Sequence, residues 1–122
     1  MVISSNNNGI IDVKKIDILG EQKLAVSANE LYEKLGLQKA HWSRWSKMNI
    51  ENNKFALEGV DYEVFTMMVK TQGGRPSNDY ALTINFAKKL CMLARTEMGE
   101  KIRNYFIAIE DAWNNNPETI MA

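Results

Sequence analysis

The chain has 122 residues, with 15 Lys and Arg balanced by 15 Asp and Glu and 45% hydrophobic residues, which describes one ordinary compact domain with enough apolar mass for a core. One cysteine, Cys91, and one histidine, His41, exclude an internal disulfide and the usual Cys/His zinc set. No apolar stretch approaches the roughly 20 residues of a membrane span, and the N-terminus lacks a basic segment followed by an apolar one, so the protein is expected in the cytoplasm, with no membrane partner.

In chain order, Met1 to Asn8 is polar and expected to be loose, and residues 1–20 are taken as an N-terminal segment that can hold a short strand. Between Ile10 and Val26, apolar residues broken by charges and Gly20 fit one or two short strands around a turn. Ser27 to Glu30 reads as a capping box, in which the serine oxygen meets an amide three residues on and the glutamate reaches back to the serine amide. A helix then runs through Ala28, Leu31, Tyr32 and Leu35 to Gly36, and a second spans about Ala40 to Asn49 with Trp42 and Trp45 on its buried side. Two short helices around a Gly-containing turn have the form of a helix-turn-helix.

Asp61 to Val69 and Asn78 to Thr83 predict a β-hairpin whose tip, Thr71 to Ser77, is mobile and basic. Near Thr83 the apolar period changes from two to 3.6, and Phe86, Ala87, Leu90, Leu93 and Ala94 share one helical face. Thr96 is placed to cap a last helix, along which Met98, Ile102, Tyr105, Phe106, Ile109 and Trp113 form an amphipathic stripe ending at Asn114 to Pro117. The expectation is an α+β domain over residues 21–115: a helix-turn-helix-like pair, a β-hairpin wing and two C-terminal amphipathic helices, followed by a tail at 116–122.

Charge is balanced overall but unevenly placed. Between Lys34 and Lys54 lie Lys34, Lys39, Arg44, Lys47 and Lys54 against Glu51 alone. Arg44 and Lys47 are three apart and share a helical face suited to a phosphate backbone, while the two tryptophans anchor the helix elsewhere. Lys39 extends the cluster, His41 and Ser43 add polar groups, and Lys70 and Arg75 bring positive charge to the hairpin tip, so these seven residues are the candidate contacts to double-stranded DNA. The plainer alternative is a solvated charged face. On the last helix, Tyr105, Phe106, Ile109 and Trp113 suit a core or an interface with a second copy equally well.

Chemistry is poorly represented. Gln72 to Ser77 lacks the Gly-Lys-Ser/Thr ending of a phosphate loop, and Glu58, Asp61 and Glu63 are close in sequence without a spacing that implies an acid/base pair. No serine elbow or His-Glu-x-x-His occurs. Cys91 sits among Leu90, Met92 and Leu93, where a packed, inert thiol is expected. The expectation is a non-enzyme without cofactor, metal or small-molecule substrate.

Several segments together form a pattern: Val26 to Gly36 (Val-Ser-Ala-Asn-Glu-Leu-Tyr-Glu-Lys-Leu-Gly), Trp42 to Trp45, Phe55 with Glu58 to Tyr62, Gly74 to Thr83, and Arg103 to Ile107 with Glu110. In order and spacing, over about Val26 to Trp113, they resemble the AntA/AntB phage antirepressor domain. The resemblance implies a regulator encoded by a phage or prophage that relieves lysogenic repression by engaging the operator DNA or the repressor protein. A domain without catalytic groups does this by mass action, occupying the operator itself or binding a repressor state that cannot hold DNA. The matching residues Glu30, Leu31, Gly36, Trp45, Asp61, Tyr62, Leu82 and Thr83 read mainly as caps, core and turns, so they speak for fold more than for site.

Overall fold

The computed structural model describes residues 10–69 and 75–115, with the backbone alone at 65–69, 75–77 and 115. The expectations for Met1 to Asn8, for the hairpin tip including Lys70, and for the tail at 116–122 lie outside the described residues.

Strands β1 (Lys14–Ile18) and β2 (Glu21–Ser27) form an antiparallel hairpin. Leu19 (φ 54°) and Gly20 (φ 81°) between them are both left-handed, the backbone form that matches the twist of a two-residue hairpin. Strands β3 (Tyr62–Val69) and β4 (Arg75–Thr83) make the second hairpin, and a four-stranded antiparallel sheet results in the order β1-β2-β4-β3. One expectation needs correction here. β4 begins at Arg75 rather than Asn78, because the ladder with β3 continues to the pair Val69 and Arg75, so Arg75 is a strand residue and not part of the tip. Pro76 fits within this extension because β2 pairs β4 only at Ala81 to Thr83, so no bond to β2 is lost.

Between the hairpins lie α1 (Ala28–Lys34) and a second helical segment, which runs as a 3-10 turn at Lys39–His41, the α-helix α2 at Trp42–Ser46 and a π turn at Lys47–Glu51. Gly36, at φ 81°, turns the chain between them. The start of α1 departs from the capping-box expectation. Ser27 Oγ does accept from the Glu30 amide at 3.2 Å, but the Glu30 carboxylate accepts instead from the Asp12 amide at 3.3 Å. The second half of the cap comes from Asp79 on β4, which accepts the Ser27 hydroxyl at 2.6 Å and the Asn29 amide at 2.9 Å. A carboxylate at the positive end of a helix serves the same need from across the fold.

Helices α3 (Ile84–Ala94) and α4 (Glu97–Asn115) complete the domain, capped by Thr83 Oγ1 on the Phe86 amide and Thr96 Oγ1 on the Gly99 amide. Lys88 and Glu110 join the two helices at 2.5 Å. At Gly99 a Cβ would stand 2.7 Å from the Cys91 carbonyl oxygen, so only glycine lets α4 approach α3 this closely. Leu24, Val26, Tyr62, Tyr80 and Leu82 of the sheet share a single core with Leu31, Leu35, Ile50, Phe86, Leu90, Ile102, Phe106 and Ile109 from the helices. This is the α+β class expected. Among the described residues, no helix is long and apolar enough to cross a membrane.

Candidate nucleic-acid interface

The second helical segment is held against the rest of the fold by aromatic rings. Tyr32 of α1 lies 5.3 Å from Trp42 and 4.9 Å from Trp45, the two indoles stack at 6.1 Å, and Trp42 reaches Tyr80 of β4 at 6.2 Å. Such contacts add packing energy beyond area burial and fix ring orientation. Tyr32 also donates its hydroxyl to the Gln38 carbonyl, at 2.5 Å, so the link between the helices is tied down. The tryptophans are partly buried against the core, which is the anchoring role their spacing predicts.

With the rings packed against the core, Ser46 is buried as well, while the candidate contacts face solvent. Lys39, His41, Ser43, Arg44 and Lys47 are all exposed. Arg44 Nη2 donates to His41 Nδ1 at 3.2 Å across one helical turn. Lys39, Ser43, Arg44 and Lys47 line a groove of about 910 Å³ between this segment and β4, but His41 does not. Of the two hairpin candidates, Lys70 lies outside the described residues, and Arg75 is described only as backbone, opposite Val69.

The lining of the groove also includes groups that the sequence pattern did not single out as contacts. Asn78 and Tyr80 contribute from β4, and Ser46 and Glu51 from the helical segment. The Tyr80 hydroxyl donates to Glu51 Oε2. Burial first, and then this bond to a carboxylate, push the Tyr80 hydroxyl up to about 12, so it remains a donor throughout the neutral range. The signal for this pair was faint, because 29 positions separate the partners.

The α4 candidates divide. Phe106 is fully buried and Ile109 is 4% exposed, both inside the core, while Tyr105 and Trp113 are partly buried against it. Burial raises the Tyr105 hydroxyl above its ordinary range, with Asp12 adding to the effect. Cys91 is packed as its neighbours predict, and burial pushes its thiol up to about 12, which keeps it protonated and a poor nucleophile.

What this surface offers is three cations and several hydrogen-bonding groups along one groove, an arrangement chemically suited to holding phosphates. A model of a family described as AntA/AntB antirepressor matches residues 26–96, which include α1, the second helical segment, both strands of the second hairpin and α3. Comparison with curated proteins and with solved structures found no match.

Proposed function

Because the chain belongs to the AntA/AntB antirepressor family, we propose that it is a phage or prophage regulator that relieves lysogenic repression in the host cytoplasm by binding DNA. The observation that carries this reading is the exposed Lys39, Arg44 and Lys47 lining one groove, on a helical segment that the stacked Trp42 and Trp45 hold against the core. In this proposal the segment works as the recognition helix of a winged helix-turn-helix-like surface. Arg44 and Lys47 contact phosphates, Ser43 and His41 add polar contacts, and the second hairpin, with Lys70 and Arg75, follows the backbone as a wing.

The test is an anisotropy titration of a labelled duplex from the adjoining regulatory region at several salt concentrations. Wild-type affinity is expected to fall steeply as salt rises. Arg44→Ala with Lys47→Ala should weaken binding to all sequences and reduce the slope of log K against log salt by about 2, one for each lost phosphate contact. An unchanged slope in the variant would remove these residues from the interface.

A second reading, capture of the repressor protein, has its own support. Phe55 and Leu57 are 86% and 63% exposed, yet they stand on a loop fastened by Asn53 Oδ1 on the Phe55 amide and Asp61 Oδ2 on the Leu57 amide. Large apolar side chains on a hydrogen-bonded loop suit a protein contact. A balanced net charge also favours it, since DNA-binding domains are usually basic.

A further inference from the structure

We propose that Glu51 reads a base pair, accepting a hydrogen bond from the exocyclic amine of a cytosine in the major groove. This rests on the reading above, in which the second helical segment faces duplex DNA.

Among the described residues lining the groove, Glu51 is the only acid, and it shares that lining with Lys39, Arg44 and Lys47. A free carboxylate beside a phosphate backbone works against binding through like-charge repulsion. It becomes favourable only where it meets a donor on the nucleic acid. Base edges in the major groove supply such donors, and the amine of cytosine is the one a carboxylate matches, since a carboxylate only accepts and adenine and guanine also present the acceptor N7 beside their other groups.

Placement supports the same assignment. Ser43, Lys47 and Glu51 recur at intervals of four along the segment, so a phosphate-binding cation and the acid fall on one stripe. The acid is also held in position. Its Oε2 accepts from the hydroxyl of Tyr80, a residue 2% exposed whose ring is fixed between Trp42 at 6.2 Å and Tyr62 at 5.9 Å. A carboxylate with one oxygen tied to the core keeps the lone pairs of Oε1 for another donor, and its freedom is already spent before DNA arrives. Direct readout needs such preorganisation, whereas phosphate contacts tolerate the flexible side chains of Lys39 and Lys47.

The experiment is selection from a randomised duplex pool by the whole chain, followed by sequencing, with wild type, Glu51→Gln and Tyr80→Phe in parallel. Wild type is expected to enrich C·G at one position by about tenfold or more. Glu51→Gln keeps an acceptor oxygen for Tyr80 and so keeps the fold, which its thermal midpoint will confirm. It should lose the C·G preference at that position and move toward A·T, because a glutamine amide matches adenine N6 and N7. Its affinity for unselected duplex should rise as the negative charge is removed. Tyr80→Phe keeps the charge but frees the carboxylate, so the preference should weaken while the salt slope stays near wild type. A purely structural role for Glu51, as the partner of a buried hydroxyl, would leave the selected sequence alone. Salt-sensitive binding by Glu51→Gln with the wild-type preference at every position would overturn the inference and leave the DNA reading standing. Failure of the wild type to bind any duplex would overturn both.

Discussion

Asp79→Ala is expected to cost the fold about 3 kcal/mol, on the scale of removing a buried, charged acceptor that satisfies several donors. Asp79 is 2% exposed and accepts from the Ser27 hydroxyl at 2.6 Å, from the Asn29 amide at 2.9 Å and from its neighbour's amide, that of Tyr80, at 2.7 Å. Alanine leaves the buried Tyr80 amide without this acceptor, strips the partly buried Ser27 hydroxyl and Asn29 amide of theirs, and removes the negative charge from the N-terminus of α1. Asp79→Asn should fall between the two, because its amide keeps one acceptor oxygen but turns an N–H group toward a donor. Urea unfolding measures the difference as a fall in midpoint at constant slope. A cycle with Ser27→Ala then isolates the hydroxyl bond, and the double variant should lose less than the sum of the single changes. A loss below about 1 kcal/mol for Asp79→Ala would mean that α1 holds its start without β4.

Phe106→Ala is expected to cost about 3 to 5 kcal/mol, the range for deleting a fully buried aromatic side chain and leaving part of its volume empty. Phe106 has no exposed surface, and its ring lies 6.2 Å from that of Tyr105 in the layer where α4 meets α3. The measurement also separates core from interface. If Phe106 serves the core of one chain, the loss is the same at every protein concentration. If it served a contact between two copies, the wild-type midpoint would rise with concentration and the variant would lose that dependence. The burial of Phe106 and Ile109 predicts the first outcome.

The parts of the fold visible in the sequence were those set by local spacing. Gly20 and Gly36 marked turns, Thr83 and Thr96 marked helix starts, and the switch of period near Thr83 marked the passage from sheet to helix, all within a few residues of the feature they control. What the sequence concealed depends on partners far along the chain. Ser27 looks like the first member of a capping box with Glu30, yet its hydroxyl bonds to Asp79, 52 positions away. Arg75 looks like a loop residue because Gly73, Gly74 and Pro76 surround it, but the apolar run through Val69 needs a partner strand, and the ladder carries Arg75 into β4. The α4 stripe is equally suited to a core and an interface until α3 is seen to bring Phe86, Ala87 and Leu90 into the same core.

The candidate site divides in the same way. Its cations were legible because Lys39, Arg44 and Lys47 crowd into a short stretch with a single acid, and the outward direction of that face follows from two tryptophans at core spacing. The rest of its lining was not legible, since Asn78 and Tyr80 come from β4, far along the chain from the helical segment. In the sequence Glu51 is a lone counter-charge among the cations. Its bond to a buried tyrosine is what gives it a fixed place.

Two routes lead from an antirepressor surface to transcription: occupying the operator or removing the repressor from it. The measurement that separates them most directly is a displacement titration, with one label on the repressor already bound to its duplex and another on this domain. Operator binding through the second helical segment predicts that the repressor leaves while the domain remains on the duplex, and that Arg44→Ala with Lys47→Ala weakens both effects together. Departure of the repressor together with the domain, leaving bare duplex, would contradict the account and place the working surface on a protein contact.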